Sequence, residues 1–169
     1  MKADTPHRNA GTIVRAGARG LVGAMAMTGV RTVTAAIGPR EQTPPEAIVD
    51  QRLPFLRALP ERHRGAVTEL LHWAYGTAGG VMYGCLPRRV RAHPVAGPLF
   101  GLGIWIAFEA GIAPALRVRH AHEHGVAWRV GTALDHLLYG VIVGGGLAPG
   151  PPSGHGRHAR RRGVRRAGA

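Results

Sequence analysis

The chain is poor in the residues that most reaction chemistry requires. Cysteine occurs once, at Cys85, and serine once, at Ser153. A single thiol excludes an intrachain disulfide and a cysteine-based zinc site. Neither residue has a base placed beside it: Cys85 is followed by Leu86-Pro87, and Ser153 lies in a run of proline and glycine. The chain also lacks a phosphate-cradling glycine loop ending in Lys-Ser/Thr and a dinucleotide fingerprint set between a strand and a helix. Acids number 9 against 22 Lys and Arg, and aromatics are 5% of the chain. These absences predict a protein that is not an enzyme, with no catalytic residues, no metal and no cofactor.

Glycine, at 26 of 169 residues, is abundant, as is alanine. That mixture suits helices packed closely in lipid, where small residues let backbones approach. Four apolar stretches are long enough to cross a hydrocarbon core of about 30 Å, which takes about 20 helical residues. They cover 17–37, 66–86, 95–116 and 126–148. The second and third each hold one carboxylate, Glu69 and Glu109, and are flanked by arginines. The first is interrupted by Arg19 and Arg31, and the fourth contains Arg129, Asp135 and His136. Arginines near helix ends can snorkel to the interface, so both remain spans. Lys2 and Arg8 before the first run, with Val33-Thr34-Ala35 after it, also fit a secretory signal, but Arg31 breaks the apolar stretch before the cut.

The sequence thus predicts an all-α, four-helix transmembrane bundle at 15–148, an N-terminal tail at 1–14 and a disordered basic tail at 149–169. Between the first two spans, Thr43-Pro44-Pro45-Glu46 is a helix start, with Thr43 as N-cap, proline at the first helical position and Glu46 placed to bond back. It predicts a short interfacial helix reaching about Gln51. The distribution of Lys and Arg sets the orientation. With both termini inside, Lys2, Arg8, Arg15, Arg88, Arg89, Arg91 and the tail arginines 157, 160, 161, 162, 165 and 166 are cytoplasmic. The smaller set, Arg40, Arg52, Arg57, Arg62, Arg64, Arg117 and Arg119, lies opposite. A bacterial cytoplasmic membrane protein with two cytoplasmic termini follows. Its partner is the lipid bilayer, with anionic lipid attracting the tail by about 1 kcal/mol per basic residue near the surface. A homo-oligomer stays open.

A pattern His-x-x-Tyr-Gly-x-x-x-Gly occurs twice, as His72, Tyr75, Gly76, Gly80 and as His136, Tyr139, Gly140, Gly144. Two helices per copy return the chain to the same side, which predicts two parallel two-helix repeats. Gly84 extends the first glycine stripe. The third span offers Gly97/Gly101 or Gly103/Ala107/Gly111 as packing partners, and the first offers Gly20/Ala24. Chance is the competing explanation in a chain so rich in small residues. On Gly23-Ala24-Met25-Ala26-Met27-Thr28, Thr43-Pro44-Pro45-Glu46, Tyr75-Gly76 through Tyr83-Gly84 and Gly101-x-Gly103-x-Trp105, residues 15–148 resemble the YagU-like family of bacterial membrane proteins. The resemblance implies a small multi-span membrane protein and supplies no catalytic residues. The histidine-rich third loop and the arginine tail have no counterpart in it.

Counting depth at 1.5 Å per residue places Arg31, Glu69, His72, Glu109, Arg129, Asp135 and His136 in the same, non-cytoplasmic half of the bundle. Charges in a span cost about 2.5–3.5 kcal/mol each on insertion scales and turn inward. The seven are expected to form one polar cluster, serving either as structural ion pairs or as a proton, ion or small-solute site. Glu69-x-x-His72 has the spacing of metal-binding bundles, but Asp135-His136 are adjacent and cannot copy it. His120-Ala121-His122-Glu123-His124 is a second metal candidate that a solvated loop explains equally well. The alternative to the membrane reading is a soluble helical protein binding nucleic acid without sequence preference through its arginine tail.

Overall fold

The computed structural model describes residues 6–38, 43–118 and 125–146. Among these the protein is entirely helical: α1 Pro6–Ile37, α2 Pro44–Arg52, α3 Glu61–Cys85, α4 Arg88–Arg91, α5 Ala96–Ala107, α6 Ala113–Ala115 and α7 Val126–Gly144. A short 3-10 turn, Pro54–Ala58, joins α2 to α3, and a π-helical turn, Phe108–Ile112, joins α5 to α6. The histidine loop at 120–124 and the tail from 147 onward lie outside the described residues.

Each helix boundary has a local cause. Thr43 caps α2 through its hydroxyl to the Glu46 N–H, while the Thr43 N–H donates to Glu46 Oε2 at 2.8 Å. This is the reciprocal capping box that satisfies two otherwise orphaned donors. Instead of lying free on the surface, α2 buries Ala47 and Val49 and packs against α3. Pro114 has no N–H to give the Ala110 carbonyl. The turn before it widens, and the Ala113 N–H reaches back five residues to Phe108. The segment ends at Arg117, held at φ 49°, with the Val118 N–H bonded to Ala113. Gly145, at φ 83°, ends α7 in the same way, the Gly146 N–H returning to Val141. The Arg19 guanidinium rests against Gly145, so its charge meets the negative end of α7. That contact gives the Arg19 charge a partner on another helix.

Among the described residues two helices, over Ala10–Ile37 and Ala96–Ala115, are long and apolar enough to cross a membrane. Sequence pattern favoured the second and third stretches; the apolar pair is the first and third. Glu69 and His72 in α3, and Arg129, Asp135 and His136 in α7, lower the hydropathy of the other two long helices. The first helix also begins earlier than expected, at Pro6.

α1 packs along α3, and α5 along α7; α1 also meets α7, whereas α3 barely touches α5 or α7. The two close pairs share one construction. A β-carbon on Gly20 would collide with the carbonyl of Gly76 and lie 2.9 Å from Gly80 Cα. A β-carbon on Gly97 would collide with the carbonyl of Gly140 and lie 3.0 Å from Gly144 Cα. Gly101 meets the His136 carbonyl in the same manner, and Gly84 faces Ile13 and Ala16. Of the two candidate stripes in the third apolar stretch, the packed one is therefore Gly97/Gly101, while Gly103 and Gly111 face open space. Gly80 and Gly144 occupy matching positions in their pairs.

This construction makes opposite substitutions at neighbouring glycines diagnostic. Gly101→Ala and Gly140→Ala are expected to lower thermal stability in detergent by about 1–3 kcal/mol, the range for overpacking. Gly103→Ala is expected to be neutral or to stabilise by up to about 1 kcal/mol through helix propensity. Equal melting curves for all three would remove the backbone-contact account.

Candidate functional site

The polar groups gather around Thr28 and Arg31 on α1. The Thr28 hydroxyl donates to Glu69 Oε2 at 2.7 Å, with the Ala24 carbonyl at 3.2 Å as the weaker alternative. It accepts from Trp73 Nε1 at 3.1 Å and from Arg31 Nη2 at 3.2 Å. One donor and two acceptor sites exhaust a threonine hydroxyl. The second proton of Arg31 Nη2 points to His72 Nδ1 at 3.1 Å, and the guanidinium lies 3.6 Å from Glu69. Arginine has only donors, so His72 Nδ1 is the lone-pair nitrogen and the proton sits on Nε2. The imidazole is thus neutral while that bond holds. Arg31 Nε is buried with no partner among the described residues.

A second set lies on α5 and α7. His136 Nδ1 lies 2.8 Å from the Thr132 carbonyl, which can only accept. This nitrogen is protonated and Nε2 is left for other partners. Trp105 Nε1 donates to Thr132 Oγ1 at 3.2 Å, pinning α5 to α7 one helical turn away. Tyr139 crosses between the helix pairs: its ring lies against Gly23 and Gly76, and its hydroxyl donates to the Gly76 carbonyl at 2.6 Å. Its repeat counterpart Tyr75 makes no such crossing and is half exposed.

Between these sets lies a cavity of about 260 Å³. α2 covers it with Pro44, Pro45, Ile48 and Val49; α3 contributes His72 and Tyr75, α5 Ile104 and Trp105, the π-helical turn Phe108, and α7 Asp135 and His136. Arg31 and Glu109 are on its wall as well. At the other end of the gap between α3 and α5, Tyr83 closes it by an edge contact with Phe100, ring centroids 5.2 Å apart. A wider recess of about 790 Å³ adjoins, lined by Thr28, Arg31, Glu69, Thr132 and Asp135 among others.

Of the seven residues singled out from sequence, Arg31, His72, Glu109, Asp135 and His136 line the cavity, and Glu69 reaches it through Arg31 and shares the recess with Asp135. Arg129 is exposed and lines neither space. Glu109 and Asp135 have no hydrogen bond and no ion pair within 4.0 Å among the described residues. No three His, Cys, Asp or Glu side chains converge to hold a metal ion among the described residues. The sequence pattern assigns no site role to Thr28, Trp73, Trp105 or Thr132, although Thr28 and Trp105 fall within the motifs of the family resemblance. Thr68 and Thr132 share the 64-residue repeat offset, a signal that could have drawn attention to Thr132.

The geometry defines a class, a helical bundle with a partly open, aromatic-walled cavity carrying two carboxylates that have no direct partner among the described residues. No protein-family model, curated protein or solved structure matches the chain.

The hydroxyl at position 28 connects three side chains, Arg31, Glu69 and Trp73, so its loss has a defined cost. Thr28→Val keeps the shape and is expected to destabilise the protein by about 1–3 kcal/mol, because Trp73 and Glu69 lose a buried partner. Thr34→Val, on the exposed side of the same helix, is expected to stay within about 0.5 kcal/mol of wild type. Thermal unfolding in one detergent compares them; equal midpoints would deny Thr28 its role.

Proposed function

We propose that this chain is a non-enzymatic integral protein of the bacterial cytoplasmic membrane, with four spans formed by α1, α3, α5 through α6, and α7. In this reading the cavity is a small-solute or proton pathway in the non-cytoplasmic half. The observation that carries it is the distribution of large apolar side chains. Val33 and Val14 on α1, Met82 and Leu70 on α3, Leu99 and Ile106 on α5, and Val126 and Leu134 on α7 are all more than half exposed. The charged cluster of Arg31, Glu69 and His72 is at most about a third exposed. Apolar faces outside and ions inside fit a hydrocarbon surround; in water they would make an aggregation-prone surface. The YagU-like resemblance agrees with this reading.

A structural bundle without a pathway is the second reading, favoured by the Thr28 network, which satisfies most of its own members. The soluble, nucleic-acid-binding alternative leaves the exposed apolar faces of all four long helices unexplained.

Alkaline carbonate extraction separates these accounts. The protein is expected to remain in the membrane pellet, and release into the supernatant together with salt-sensitive DNA binding would favour the soluble alternative. For orientation, a reporter that works only after export, fused after Ala169, is expected to stay silent. Activity at that position would reverse the topology.

A further inference from the structure

The charge carried by the cavity wall points to the solute. Arg31 is committed to Glu69 at 3.6 Å, and those two charges cancel. His72 is neutral because its Nδ1 accepts from Arg31. Glu109 and Asp135 remain, both on the cavity wall, with no hydrogen bond and no ion pair within 4.0 Å among the described residues. With His136 neutral the balance is two negative charges, and with His136 protonated it is one. Around them stand Tyr75, Trp105 and Phe108, whose ring faces attract cations within about 6 Å. A carboxylate that lacks a direct partner and faces an apolar, aromatic space is costly unless a positive charge occupies it.

We infer that the cavity binds a small hydrophobic monocation, an amine or quaternary ammonium with an apolar body of about one ring. The inference deepens the solute-pathway reading and rests on it. Size sets the body. An apolar cavity of about 150 Å³ holds benzene, so about 260 Å³ accommodates one ring and a short alkylammonium group. Access fits the same ligand: Leu71 and Tyr75 line the cavity and are also exposed, so an apolar cation reaches it from the side, between α3 and α5. A divalent or strongly hydrated inorganic cation is disfavoured, because the wall offers few oxygen ligands to replace its water.

The test uses the purified full-length protein in detergent, with benzyltrimethylammonium as the probe and neopentylbenzene as its neutral match in shape. Equilibrium dialysis is expected to show saturable binding of the cation, with the neutral probe at least tenfold weaker. Glu109→Gln and Asp135→Asn are each expected to weaken cation binding at least tenfold, and Gly103→Ala, which faces open space, to leave it unchanged. Equal affinity for the two probes, no saturable binding, or wild-type affinity in both carboxylate variants would overturn the assignment. The probe pair decides the matter in the wild-type protein, so a variant that fails to fold does not remove the test. A chain that binds the cation yet is released by carbonate keeps the ligand and loses the membrane. A chain that stays in the pellet and discriminates nothing keeps the membrane and loses the ligand.

Discussion

Two helices can touch backbone to backbone only where neither carries a β-carbon at the crossing. Here that condition is met twice, at Gly20 against Gly76 and Gly80, and at Gly97 against Gly140 and Gly144. Once the axes are this close, the directions of the neighbouring side chains are fixed. On α3, His72 lies one turn from Gly76 on the same stripe, so the glycine contact turns it toward α1, where Arg31 meets it. On α7, His136 lies one turn before Gly140, and its carbonyl forms part of the surface against which Gly101 rests. The polar cluster is therefore placed by the small residues below it. A larger residue at Gly20, Gly76 or Gly80 would push α1 away from α3 and pull Arg31 from Glu69 and His72.

Much of this arrangement was legible in the sequence. Helical periodicity, the Thr43 capping box and the paired tyrosine-glycine pattern located the principal helices. Depth counting put six of the seven charged or titratable residues where they line or reach one site. Arg129 escaped that logic because depth says nothing of direction, and its side of α7 faces outward. The choice between Gly97/Gly101 and Gly103/Ala107/Gly111 could not be made in advance either. Both stripes have the right spacing, and only the identity of the facing helix separates them.

The hydroxyl hub was illegible for a different reason. Thr28, Trp73, Trp105 and Thr132 carry no charge, and nothing in their residue types or spacing demands a particular partner. Their bonds join positions 41, 45 and 27 residues apart. Such pairings follow from which faces meet, which is a tertiary fact. A buried charge restricts where its side chain can point, whereas a threonine can satisfy itself on its own helix, as Thr77 does with the Trp73 carbonyl.

The same repeat that builds the two pairs also accounts for the cavity, through the place where it fails. Gly20 and Gly97 play equivalent parts, as do Gly76 and Gly140, so α1 corresponds to α5 and α3 to α7. A symmetric assembly would press α5 on α3 as firmly as α1 meets α7, yet α3 and α5 hardly touch. The difference lies in what each tyrosine finds opposite. Tyr139 enters between α1 and α3 because Gly23 and Gly79 leave room for its ring and hydroxyl. At the corresponding positions Tyr75 would meet Phe100 and Val143, both held in the apolar core with Tyr83. Those side chains fill the slot, so Tyr75 turns outward and the α3–α5 seam stays open toward α2. One closed seam fixes the two halves to each other, and one open seam leaves a space with Glu109 and Asp135 on its wall. Phe100 and Val143 stand where the other pair has Gly23 and Gly79, and with that difference one seam closes around a tyrosine while the other borders the cavity.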